Sequence, residues 1–143
     1  MIKSSNVMQG NLVYDLKNNI VELTNVDIRQ IDKFEKIKRK LPFFPIPITD
    51  EVLKKCNPKI SKISKDKKTY SWIFLIEELS KWTISIDFID KSIFCIFVGQ
   101  ARIGEGFEEV QLTSIPNEIK YFHDFQNFFK LFTGTDLKVN ISN

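Results

Sequence analysis

Glycine, histidine, cysteine and arginine are all scarce in this chain of 143 residues, and each shortage removes a class of chemistry. Five glycines leave no phosphate-cradling loop: Gly104 and Gly106 form a lone G-x-G around Glu105, whose carboxylate would repel phosphate. One histidine, His123, and two cysteines, Cys56 and Cys95, give neither a metal-ligand spacing nor a disulfide framework. Only Arg29, Arg39 and Arg102 are arginines, so bidentate base reading lacks its usual residue. No apolar run approaches the ~20 residues of a membrane span, and the N-terminus does not read as a signal peptide. The expectation is a soluble, cytoplasmic protein with no membrane partner, no metal and no cofactor.

What is present is an ordinary globular composition, 43% apolar and 27% charged, with an excess of phenylalanine, 13 in all. The length suits one domain, 1–143, divided into an N-terminal hairpin region, 1–45, and a sheet with a C-terminal helix, 46–143. Charge is unevenly spread. From Lys33 to Lys68 there are twelve Lys or Arg against four Asp or Glu, a local +8 that leaves −5 on the rest of a chain whose net charge is +3. A basic middle is one footprint of nucleic-acid binding.

Residues 7–26 read as a hairpin around Asn18 and Asn19, with Gly10 marking a bulge or close backbone approach. Residues 27–40 repeat Ile28, Ile31, Phe34 and Ile37 every third position, which fits a short helix or an irregular strand. Three prolines in residues 42–47 make a stiff connector, and the apolar residues between them predict that it lies against the core. Thr49 caps a short helix reaching about Cys56. Residues 69–76, 82–89 and 92–98 read as strands, with Trp82, Ile84, Ile86 and Phe88 alternating against Thr83, Ser85 and Asp87 as in a one-face-wet antiparallel sheet. Residues 99–106 read as loop, 107–112 as a last strand and 137–139 as a short terminal one. The final helix is introduced by Pro116 and stopped by Gly134. It carries a stripe of Phe122, Phe125, Phe129 and Phe132, widened by Tyr121, Phe128 and Leu131. The expected fold is α+β: a small-barrel-like hairpin, a short helix, and an antiparallel sheet with the C-terminal helix packed on it.

His123, Gln126 and Asn127 form the polar side of that helix and are the first candidates for ligand or partner binding. A catalytic reading of His123 needs an orienting group and a nucleophile. Its neighbour Asp124 projects about 100° away on a helix, so no catalytic residue is assigned and hydrogen bonding along the helix face is preferred. Lys54, Lys55 and Lys62 are the second candidates, as grips for phosphate. No aromatic interleaves the lysines before Tyr70, so a stacking platform is missing there. Asp87 and Asp90 straddle a strand end and read as a solvated turn.

Three stretches carry a resemblance. Gly10-Asn11 matches an opening "RxGNxV". Pro47, Thr49, Glu51 and Leu53 match "IPLTxExLxK". His123, Gln126, Asn127 and Gly134 match a closing "YxHxLQNLYFxLTGxxL". In these the chain resembles a family of small uncharacterised proteins of Bacteroidota and their phages, departing from it at Phe125, Phe128 and the inserted residues 27–40. The family brings no activity with it; it implies an accessory gene of a phage or mobile element acting in a bacterial cytoplasm. The function expected is a non-enzymatic accessory binding protein, such as a counter-defence protein sequestering a host immune protein or a nucleotide signal. The alternative is a nucleic-acid-binding accessory protein using the basic 33–68 segment.

Overall fold

A computed structural model describes residues 1–56, 60–63, 69–76, 82–89, 92–102, 106–111 and 119–141. The architecture is α+β, and the chain resolves into two compact units: Met1–Ile48 with Ile119–Leu137, and Thr49–Glu118 with Lys138–Ser142.

The first unit begins with a 3-10 turn, Ser4–Asn6, and a hairpin of β1, Leu12–Tyr14, and β2, Ile20–Glu22. Asp15 builds the reversal: one carboxylate oxygen accepts from the Lys17 and Asn19 backbone N–H groups, at 2.8 Å each. Asn18 takes the left-handed conformation, φ 63°, that asparagine tolerates. The Asn19 side chain donates to the same carboxylate and is the main reason Asp15 is held below its ordinary pKa. Gly10 sits at φ 90°, where a side chain would be strained, and pairs back to the Leu23 carbonyl at 2.9 Å.

The ambiguous stretch after β2 is a helix, α1, Asn25–Lys36. Its local chemistry decides the matter. Thr24 and Asp27 form a reciprocal cap, Asp27 accepting from the Thr24 N–H at 2.8 Å and Thr24 Oγ1 accepting from the Asp27 N–H at 3.2 Å. Ile31 is fully buried with Ile2, Val7, Val13 and Leu23, while Ile28 packs against the same cluster. A three-residue repeat therefore serves a helix, because i and i+3 share a face.

The proline connector lies against this core, as the residues between its prolines predict: Ile46 and Ile48 are buried. Phe44 exchanges backbone hydrogen bonds with Tyr14 at 2.8 and 2.9 Å, and Ile46 accepts from the Phe122 N–H at 2.8 Å. The connector thus runs from the edge of β1 to the start of the last helix.

That helix, α3, spans Phe122–Thr133 and contacts β1. It starts later than Pro116 suggests. Asp124 sets the start by turning back to accept from the Lys120 and Tyr121 N–H groups at 3.1 and 2.9 Å. Gly134 closes it at φ 74°, in the left-handed C-terminal position. Phe122 and Phe125 are completely buried and Phe129 nearly so, each contributing roughly 2–3 kcal/mol of burial. Leu131 does not widen the stripe: it is 86% exposed, because it follows Lys130 onto the outward side of the helix. No terminal strand forms at 137–139; the backbone there is irregular.

In the second unit Thr49 Oγ1 accepts from the Val52 N–H at 3.4 Å and starts α2, Asp50–Lys54. A five-stranded antiparallel meander follows: β3, Ile60–Ile63; β4, Thr69–Ile76; β5, Trp82–Ile89; β6, Ser92–Arg102; β7, Gly106–Gln111. Register sets Tyr70, Trp72, Phe74 and Ile76 opposite Phe88, Ile86, Ile84 and Trp82, so the alternation read in β5 continues across β4. Ile86, on that row, is completely buried. Residues 99–102 are strand rather than loop, since their pairing with 106–109 satisfies backbone groups that a loop would leave to water. The turn at Asp90 and Lys91, the Glu77–Glu78 connector, Asn57-Pro58, Gly104 and Pro116 lie outside the described residues.

Candidate functional site

The polar side of α3 faces the N-terminal strand. Gln126 is buried; its Oε1 accepts from the Leu12 N–H at 2.8 Å and its Nε2 donates to the Gly10 carbonyl at 3.3 Å. Asn127 accepts from Asn11 Nδ2 at 2.8 Å and donates to the Asn6 carbonyl at 2.9 Å. Asn11, itself buried, also accepts from the Met8 N–H at 2.8 Å. Two amides on one helix thereby satisfy backbone and side-chain groups more than a hundred positions earlier in the chain. A buried amide without such partners would cost about 1–3 kcal/mol, so the set works as a clasp.

Beside the clasp is a small polar cleft lined by Met8, Gly10, Asn11, Gln126, Lys130 and Asp136 among others. Its volume of about 30 Å³ holds no more than about two waters. Lys130 and Asp136 close its rim with an ion pair at 2.9 Å.

His123 is set differently. It is 2% exposed, stacks on Tyr121 with ring centroids 5.8 Å apart, and has no hydrogen-bond partner at Nδ1 among the described residues. Its Nε2 lies 3.3 Å from Asp124 Oδ1. The adjacent carboxylate therefore does reach the imidazole, against the expectation from helical projection. Capping draws Asp124 back toward the N-terminus through Oδ2, and that swing leaves Oδ1 beside His123. Burial pushes the His123 pKa below its ordinary value; Asp124 opposes this and the N-terminal ammonium adds to it more weakly.

The lysine candidates belong to the second unit. Lys54 is exposed in the last turn of α2 and Lys55 is its half-buried C-cap, its carbonyl accepting from the Asn140 N–H at 2.8 Å. Lys62 is on β3 opposite Ser71, whose next partner is Asp87, while Tyr70 and Trp72 belong to the alternate face. Among the described residues no group of three His, Cys, Asp or Glu could hold a metal ion, and no helix is long and apolar enough to cross a membrane. Cys56 is buried, and its thiol is pushed up to about 12 by that burial.

The partnership of Asn11 with Asn127 has no local sequence signal, since only the folded chain joins them. The end of α1 has none either, because it lacks glycine; Lys38 holds the left-handed position instead.

Compared with protein-family models, curated proteins and solved structures, the chain gives no significant match to any of them.

Proposed function

We propose that the chain is a non-enzymatic accessory binding protein of a phage or mobile element, one that sequesters a host immune protein or a nucleotide signal. The observation that carries this reading is the state of the polar set on α3. Gln126 and Asn127 each commit their amide oxygen and nitrogen to partners near the N-terminus, and His123 is enclosed and held towards its neutral form. A general base must reach a substrate proton, and these groups are turned to the N-terminal strand and the helix start instead. The stretches that carry the resemblance gain a physical meaning from this: Gly10 and Asn11 at one end, Gln126 and Asn127 at the other, are the two halves of one clasp. A motif that closes a fold leaves recognition to the surface. Phage origin rests on that resemblance alone.

The test is calorimetry of the purified chain with a panel of cyclic nucleotides and oligonucleotide signals, with the ligand recovered and identified afterwards. Stoichiometric binding with the ligand returned intact supports sequestration. Catalytic conversion of any nucleotide or peptide in the panel refutes it. If nucleotides fail to bind, co-purification with individual candidate immune proteins tests the protein-partner form, and failure there removes the proposal.

A further inference from the structure

The C-terminal end of α1 carries a concentration of positive charge that the clasp does not use. Over residues 29–40 there are six cations, Arg29, Lys33, Lys36, Lys38, Arg39 and Lys40, against two carboxylates, Asp32 and Glu35. All six cationic residues are exposed. Glu35 is turned inward, accepting from the Ser4 N–H at 3.0 Å, and Asp32 pairs with Lys36 at 2.7 Å. Lys33, Lys38, Arg39 and Lys40 have no ion-pair partner among the described residues.

The backbone here holds a non-glycine residue in the left-handed region. Arg39 donates to the Phe34 carbonyl at 2.9 Å and Lys38 to the Glu35 carbonyl at 3.1 Å, the paired bonds of a Schellman ending. Its left-handed residue, normally glycine, is Lys38 at φ 52°. Attraction to the helix dipole accounts for Lys33 and Lys36 in the last turn. It does not account for a lysine in the position where glycine is easiest. Strain kept at an exposed charged position is a pointer to use.

We infer that this knuckle binds the phosphodiester backbone of duplex nucleic acid, without reading sequence. Arg29, Lys33 and Lys36 recur at four and three residues and so line one face of α1 over about 10 Å, with Lys38, Arg39 and Lys40 extending the line past its end. A bilayer surface is disfavoured because a helix lying on lipid needs its apolar face free. Here Ile31 is fully buried and Ile28 packs on the core cluster, leaving only Val26 and Ile37, at opposite ends of the helix, exposed at 66% and 52%. A protein partner is disfavoured because interface centres are depleted in lysine and built on aromatic anchors. A line of exposed cations instead matches a partner whose charge is periodic and whose affinity comes from counterion release. Lys54, Lys55 and Lys62, the cations singled out in the sequence, play no part in it. The inference stands apart from the sequestration role, so either can fail alone.

The test is fluorescence anisotropy of the full chain with a labelled mixed-sequence duplex of about 20 base pairs, titrated between about 50 and 200 mM salt. The wild type is expected to bind at low salt and to weaken steeply as salt rises. The triple variant K33Q/R39Q/K40Q is expected to lose roughly tenfold or more at low salt and to lower the salt slope by about three. Lys38→Gly is expected to weaken binding several-fold while melting no lower than wild type, because glycine relaxes the strained position. Absence of wild-type binding at low salt, or full binding by the triple variant, overturns the inference. So does loss of binding in K54Q/K55Q/K62Q with the knuckle variant unaffected. Binding to phosphatidylserine vesicles without binding to duplex overturns it in favour of a lipid surface. Unchanged affinity in Lys38→Gly removes the role given to Lys38.

Discussion

Replacing Gln126 by leucine keeps the side-chain volume near constant but deletes both arms of the clasp. The Leu12 N–H, in a residue that is itself buried, then faces an apolar group in place of the oxygen now 2.8 Å away. An unsatisfied buried donor costs about 1–3 kcal/mol, and the Gly10 carbonyl loses a weaker bond, so a loss of about 2 kcal/mol is expected. For a chain of this length that lowers Tm by roughly 6–10 °C. Gln126→Glu sharpens the test. One carboxylate oxygen can still accept from Leu12, but the other would sit where Nε2 now donates to the Gly10 carbonyl at 3.3 Å. Two acceptors repel unless the carboxyl is protonated, so its folded pKa rises above the ordinary value of about 4.3. The folded state then holds the proton more tightly than the unfolded chain. The deficit of Gln126→Glu relative to wild type therefore shrinks as pH falls through that raised pKa, and is smallest below about 4.3. Urea melts followed by far-UV circular dichroism between neutral pH and about pH 4 measure the difference. A Gln126→Leu variant within about 0.5 kcal/mol of wild type, or a pH-independent Gln126→Glu deficit, would refute the reasoning.

Three further outcomes are expected. Because burial holds the His123 pKa down, the unfolded chain takes up its proton first as pH falls. The His123 contribution to stability is full above about pH 6.5 and declines below it, and His123→Phe should flatten that part of the stability–pH curve; an unchanged slope would show that folding does not shift the imidazole's titration. Thr24→Ala removes one half of the α1 cap and should cost about 1 kcal/mol by denaturant titration, with no loss counting against the reciprocal geometry. The Cys56 thiol, buried and pushed up to about 12, should resist alkylation at pH 8 until the protein is denatured; peptide mapping that shows native labelling at the denatured rate would contradict its burial.

How much of this could be read from residues alone depended on whether a signal was local. The hairpin turn, the Thr49 cap, the glycine closing α3, and the bounds of β4 and β5 are each fixed by a few adjacent residues, and the sequence displays them. The end of β6 does not show, because Gly99 looks like a breaker and only pairing with β7 keeps the strand going to Arg102. The start of α3 depends on Asp124 reaching backward, which competes with the more conspicuous Pro116. The polar residues of α3 were visible as a set. Their partners were not: amides meeting across more than a hundred residues leave no trace in spacing. Residues 27–40 were ambiguous for a different reason, since a period of three suits neither regular element well until the Thr24–Asp27 cap decides it.

The clasp joins residues that flank Thr49–Glu118 in the sequence, and this sets an order of events during synthesis. A ribosome that has finished β1 and β2 must still make that whole intervening stretch before Gln126 exists to meet Leu12. Until then the nascent hairpin has only α1 to pack against, and a two-stranded hairpin draws its stability from such packing. Closing so long a loop adds only a slowly growing entropic cost, but it defers assembly of the first unit until α3 has been made.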